Sequence, residues 1–189
     1  DLSQGSITWL HNRKISQATA ETFKLFTKDQ KLCFPYYLDG DIVNIKSRTK
    51  DKKFLQEKNA TKCLYNIDML QTDWKNKTTK SVIFVEGEMD VLALYEAGFK
   101  NVVSLPDGAP QTAKFKSDDK RFMAFEHSKW IFEADEVIVA TDADENGKAL
   151  RLEIIHRFGK DICKVVNFPR IDDWQCKDAN ECLIEYDTK

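Results

Sequence analysis

The feature that most constrains this chain lies after Lys80, where short apolar runs alternate with segments of helical character to the end. SVIFVE reads as a strand buried on both faces, because its residues are apolar in a run rather than in alternation. A helix follows from about Asp90 to Ala97, closed by Gly98. NVVSL is a second strand, RFMAFEHSKWIF a helix, and EVIVAT a third strand. From about Gly147 to Phe158 the residues Leu150, Ile154 and Phe158 fall on one helical face, and Gly159 ends that helix. ICKVVNF is a fourth strand and ANECLIEY a last helix. This alternation predicts a parallel sheet with helices on its faces.

Composition narrows the class further. No apolar run approaches the ~20 residues that span a bilayer, so no membrane segment is expected. The 12 Phe and 4 Trp, within a 42% hydrophobic fraction, suffice for a core. Cys33, Cys63, Cys163, Cys176 and Cys182 form no CxxC pair, which argues against a disulfide framework and a structural zinc site and for a reducing compartment. His11, His127 and His156 are scattered and read as surface or core residues. The opening DLSQGSITWLHNRK has no apolar signal core and no initiating Met, so the chain reads as a piece of a longer protein.

Residues 1–80 have a different texture. Ser16 is a candidate N-cap for a short helix over residues 16–26, with Ala20, Phe23 and Phe26 as its apolar stripe. Asp39-Gly40 is a turn signal between two strand-like stretches, and Lys46 and Arg48 project from one face of the second. The division is a basic α+β region, 1–80, followed by an α/β domain, 81–189. The net charge of −2 hides it: the first region carries 15 basic and 9 acidic side chains, the second 14 and 22. That asymmetry fits polyanion binding beside metal binding, and equally two solvated faces.

Ligands gather at the carboxyl ends of strands in open parallel sheets. Glu86 follows the first strand, then Gly87, Glu88, Met89 and Asp90. Asp142 and Asp144 follow the third, with Glu145, Asn146 and Gly147. Asp178 follows the fourth, past a loop. Parallel strands bring these carboxylates to one edge, where they repel unless a cation neutralises them or some take up protons. Carboxylate oxygens without His or thiolate partners suit Mg²⁺ or Mn²⁺. Gly87 and Gly147 would let backbone or phosphate approach. The competing reading is helix capping, since Asp90, Asp144 and Glu145 sit near predicted helix starts. A cap accounts for only one of Asp142 and Asp144, and Glu86, directly after a buried strand, needs a partner.

VEGEMDVLAL, VATDADENG and CKDANECL, in this order and spacing, resemble the Toprim domain of bacterial-type primases and type IA and II topoisomerases. LCFPYYLDGDIVNIKSRTKDKKFLQEKNATKCLYNIDML resembles the basic N-terminal subdomain of the primase RNA-polymerase domain. With VVSLPDGAP, the stretch of about residues 30–185 is similar to the fused primase–helicases of bacteriophages and the Twinkle-like organellar proteins. The resemblance implies a Toprim fold, a four-stranded mainly parallel sheet with flanking helices, preceded by a small basic α+β subdomain. It implies Glu86 as general base or metal ligand, Asp142 and Asp144 as the Mg²⁺-binding pair, Asp178 as a further metal-site carboxylate, and Asp90 in support. It makes Lys46 and Arg48, with Lys52 or Lys53, the patch for nucleotide and template.

The implied activity is metal-dependent primer synthesis from ribonucleoside triphosphates on single-stranded DNA. Mg²⁺ or Mn²⁺ would be the cofactor, with no zinc in this stretch. A zinc-binding module and a helicase are expected elsewhere in the same full-length chain, since the family's cysteine set is missing here and Gly147-Lys148 lacks the rest of a GxxxxGK[ST] loop. An intracellular setting follows, in a plastid-type organelle (including the apicoplast) or a mitochondrion, with a phage-infected bacterium as the alternative. Two other functions share the motifs: a non-catalytic linker or single-strand binder of a Twinkle-like helicase, and a Toprim nuclease. Tyr36, Tyr37 and Trp74 are candidates for base stacking or for core packing.

Overall fold

The computed structural model describes residues 1–77, 80–171 and 173–186. The chain opens with helices α1 (Gln4–Asn12) and α2 (Gln17–Thr22). An antiparallel sheet follows in the order β1 (Phe26–Lys28), β2 (Lys31–Leu38), β3 (Asp41–Arg48) and β4 (Phe54–Gln56). After helix α3 (Ile67–Trp74) come β5 (Ser81–Val85), α4 (Glu88–Glu96), β6 (Val102–Ser104), β7 (Glu136–Val139), α5 (Glu145–Phe158) and β8 (Cys163–Val165). A ribbon, β9 (Arg170–Ile171) with β10 (Trp174–Gln175), precedes the last helix, α6 (Ala179–Tyr186).

The second sheet has the order β6-β5-β7-β8 and every pair in it is parallel, as the alternation predicts. β5 and β7 are its central strands. Val82, Phe84, Val85, Val137 and Val139 are wholly buried, which is why these strands are apolar in a run. α4 lies against β6 and α6, and α5 against β7. In the first sheet Asp39 and Gly40 both have positive φ, 53° and 88°, the turn geometry that matches the twist of an antiparallel pair. A register irregularity lies between Tyr36, which is buried, and Tyr37, which is half-buried.

One apolar core joins the two sequence regions. Phe34, Tyr36 and Tyr65 from the first share a cluster with Val85, Leu92 and Leu105 from the second. Tyr65 lies 4.9 Å from Tyr36 and 5.6 Å from Phe23, ring centre to ring centre. It also bridges to Ser104, where its N–H donates to the Ser104 carbonyl at 2.9 Å.

Several elements depart from the sequence reading. The predicted helix over RFMAFEHSKWIF is two 3₁₀ segments, Lys120–His127 and Lys129–Glu133, broken at Ser128. The helix expected over residues 16–26 ends at Thr22: Lys24 turns to positive φ and Phe26 already belongs to β1. Its Ser16 cap is as expected, with the hydroxyl accepting from the Thr19 N–H at 3.2 Å. The fourth strand is only three residues long. α1, α3, β1 and β4 had no counterpart in that reading.

Candidate metal centre

Glu86 emerges one residue past β5, and Asp142 three residues past β7. Adjacent central parallel strands thus deliver carboxylates to the same sheet edge. Glu86, Asp142 and Asp144 each offer an oxygen, and these oxygens lie within 4.8 Å of one another. Among the described residues no other group of His, Cys, Asp or Glu side chains converges in this way.

The loop holding Asp142 and Asp144 has almost no slack. Asp144 caps α5: its Oδ1 accepts from the Gly147 N–H at 2.9 Å. The Thr141 hydroxyl donates to the Gly147 carbonyl at 2.8 Å. A Cβ on residue 147 would lie 2.0 Å from the Asp142 carbonyl oxygen, so only glycine fits. The Ala143 N–H donates to the Lys177 carbonyl at 2.7 Å, tying the loop to the segment before α6.

The electrostatics are those of crowded carboxylates. Burial, then Asp142 and Asp144, push Glu86 from an ordinary 4.5 up to about 8. Burial and Asp178 push Asp142 up to about 6. Burial also raises Asp144, but its hydrogen bond from Gly147 and the adjacent Lys177 outweigh this and hold it low. Lys177 is the local counter-charge, with its Nζ 3.2 Å from Asp142 Oδ2 and 3.2 Å from Asp144 Oδ2. Glu86 Oε2 is buried and has no hydrogen-bond partner. An orphaned buried carboxylate oxygen beside two more carboxylates, with no nitrogen or sulfur donor in the group, fits a hard divalent cation such as Mg²⁺ or Mn²⁺.

Asp178 stands outside this triad. Its Oδ1 accepts from the Glu181 N–H at 2.8 Å, capping α6, although its charge reaches Asp142. Asp90 is buried in the first turn of α4 and accepts from the Asn180 N–H at 3.1 Å. Burial raises it strongly, with Asp178 and Asp142 adding to the effect. It does not cap its own helix; its bond to the first turn of α6 joins α4 to α6 beside the triad. Gly87 is the N-cap residue of α4.

The basic residues divide. Lys46 is buried, and its Nζ donates to Glu88 Oε1 at 2.8 Å and to the Pro106 carbonyl at 2.9 Å. The Tyr36 hydroxyl donates to the same Glu88 oxygen. Lys46 still lines a cavity of about 360 Å³ with Glu86, Gly87, Phe54, Gln56 and Gly108. Arg48 lines a different cavity, of about 520 Å³, where its guanidinium sits 4.5 Å from the Trp9 ring centre and that of Arg13 lies 5.0 Å from the same ring. Burial, with Arg13 adding to it, lowers the Arg48 pKa. Lys52 and Lys53 are exposed between β3 and β4, and Lys53 pairs with Asp51 at 3.0 Å. Tyr36 and Trp74 are core residues.

Sequence reasoning missed Glu88, Lys177 and Trp9 as parts of this arrangement. Glu88 and Lys177 lie inside motifs already singled out, so position in the motif was their signal. Trp9 had none, because α1 was not anticipated.

The Toprim domain family matches residues 80–167. The chain is 38% identical over 183 residues to the primase homolog protein of Arabidopsis thaliana, covering 91% of this chain and 52% of that protein. It is 36% identical to the Twinkle homolog protein, chloroplastic/mitochondrial, of the same plant, covering 91% of this chain and 25% of that protein. It thus spans about half of one relative and a quarter of the other. Among solved structures, the primase fragment of the bacteriophage T7 primase-helicase protein superposes with a TM-score of 0.68 at 25% identity, over 94% of this chain and 70% of that one. The Aquifex aeolicus primase, with zinc-binding and RNA polymerase domains, has the same fold at a TM-score of 0.69, 16% identity, 98% of this chain and 54% of that one.

Proposed function

Because the chain is a Toprim-containing primase homologue of the phage and Twinkle-like kind, we propose that it is the catalytic core of a primer-synthesising enzyme. It would join ribonucleoside triphosphates on a single-stranded DNA template. The observation that carries this reading is the Glu86–Asp142–Asp144 triad, complete and convergent at the end of the two central strands.

Glu86, Asp142 and Asp144 would hold Mg²⁺ or Mn²⁺, with Asp178 steering the charge of Asp142 from its cap on α6. Metal bound there would lower the pKa of an attacking 3′-hydroxyl and offset charge on departing pyrophosphate. Lys46, held by Glu88, would offer its ammonium to a phosphate in the adjoining cavity once a ligand competes for it. Arg48 in the separate cavity beside Trp9, and Lys52 and Lys53 on the exposed loop after β3, would meet a passing template phosphate. The complete triad favours catalysis over a linker role, in which these carboxylates would be free to change.

The relatives' names extend the proposal to the whole protein: helicase and zinc-binding modules in the full-length chain, and an organellar location. No helix among the described residues is long and apolar enough to cross a membrane. The test is primer synthesis on single-stranded DNA with Mn²⁺, comparing the parent with Glu86→Gln and Asp142→Asn. A loss of at least ~100-fold in each is expected, and full activity in either overturns the assignment.

A further inference from the structure

Phe54 is an exposed aromatic ring on a strand too short to hold itself in place. In the register of β3 with β4, Arg48 faces Phe54 and Lys46 faces Gln56. Directly paired residues share a face of the sheet, so Lys46, Arg48, Phe54 and Gln56 form one surface. The Phe54 ring is 51% exposed, and Lys46 Nζ lies 5.1 Å from its centre. Phe54 lines the cavity that Glu86 also lines.

A three-residue edge strand would ordinarily fray. Gln56 prevents it: its Oε1 accepts from Asn44 Nδ2 at 2.8 Å, and its Nε2 donates to the Pro106 carbonyl at 3.1 Å and to Asp107 Oδ1 at 3.0 Å. Lys62 in turn holds Asp107 Oδ2 at 2.5 Å. The structure thus sets an exposed aromatic side chain beside a buried ammonium, in a cavity that Glu86 of the carboxylate triad also lines. An exposed ring lining the same cavity as Glu86 suits the flat, polarisable surface of a nucleobase.

We infer that Phe54 is the stacking platform for the base of a nucleoside triphosphate whose phosphates point toward Glu86, Asp142 and Asp144. The inference rests on the metal-dependent nucleotidyl-transfer reading above. Stacking of this kind tolerates every base, because it reads the π-face and makes no edge-specific hydrogen bond.

The experiment measures binding of ATP and of inorganic tripolyphosphate, which has no base, to the 189-residue chain with Mn²⁺ present. The variants are Phe54→Ala, Phe54→Leu and Phe54→Trp, each checked for an unchanged melting temperature. Phe54→Ala and Phe54→Leu should weaken ATP by about tenfold, within the range of one stacked base, and leave tripolyphosphate unchanged. Phe54→Trp should bind ATP at least as tightly as the parent. Equal losses for both ligands, no loss of ATP binding, or parental ATP affinity in Phe54→Leu overturns the inference. A parent that binds both ligands equally overturns it while leaving the metal–phosphate reading intact. A parent that binds neither overturns both.

Discussion

Lys46 Nζ stands 2.8 Å from Glu88 Oε1, and neither side chain is more than a tenth exposed. This pair joins β3 to the start of α4, and the Tyr36 hydroxyl completes it. Removing one partner strands the other charge in the core. Lys46→Ala should cost about 3–5 kcal/mol in urea unfolding, and Lys46→Met with Glu88→Gln should recover at least half of that. A surface lysine would show neither effect.

The triad predicts how metal-free stability varies with pH. Glu86 and Asp142 titrate at about 8 and about 6 in the fold, against ordinary values of 4.5 and 3.8. The native state therefore binds more protons than the unfolded chain across this range, and stability falls as pH rises. The triad's share of the decline should run from about pH 4 to about 8, and buried Asp90, also raised, adds to it. Below that window the depressed carboxylates Asp144 and Glu153 act in the opposite sense. Thermal melts across pH, with and without saturating Mg²⁺, check this: metal should flatten the triad's share of the decline.

Neutralising one member of the triad should separate stability from function. Glu86→Gln and Asp142→Asn relieve repulsion, so each metal-free variant should melt above the parent by a few degrees, equivalent to ~1 kcal/mol or more. Each should also lose the rise in melting temperature that Mn²⁺ gives the parent.

Lys177 occupies the space between Asp142 and Asp144 as a cation of the chain itself. Lys177→Gln should lower the melting temperature of the metal-free protein. It should tighten Mn²⁺ binding by up to about fivefold, the worth of a half-exposed ion pair. Titration followed by Mn²⁺ electron paramagnetic resonance reads this directly.

Gly147→Ala tests the loop. Its new Cβ would meet the Asp142 carbonyl at 2.0 Å, so the loop must open. A loss of about 3 kcal/mol in unfolding free energy is expected, with Mn²⁺ binding abolished.

The sequence revealed elements whose signal is local and strong. The central parallel strands β5 and β7 are largely apolar and buried, and Asp39-Gly40 needs only its two positive φ angles. The acidic residues were legible because a parallel sheet sends every strand's carboxyl end to one edge. What escaped depends on distant partners. β4 exists because Gln56 is held by the loop after β6, 50 residues away. The segment around Ser128 carries helical spacing but folds as two 3₁₀ turns, with Phe125 and Ile131 buried on either side of the break. The burial of Lys46 was invisible because a lysine on an alternating strand reads as solvent-facing until its glutamate, 42 residues on, is brought alongside.

The cap on α5 also orients a carboxylate. Asp144 Oδ1 accepts from the Gly147 N–H, and Oδ2 is the oxygen turned toward Lys177. A cation held at the triad would then meet Asp144 chiefly through Oδ2. A hard cation needing six oxygens would take the rest from exchangeable donors, water or phosphate. A helix start would thereby leave room around such an ion for a substrate oxygen to enter.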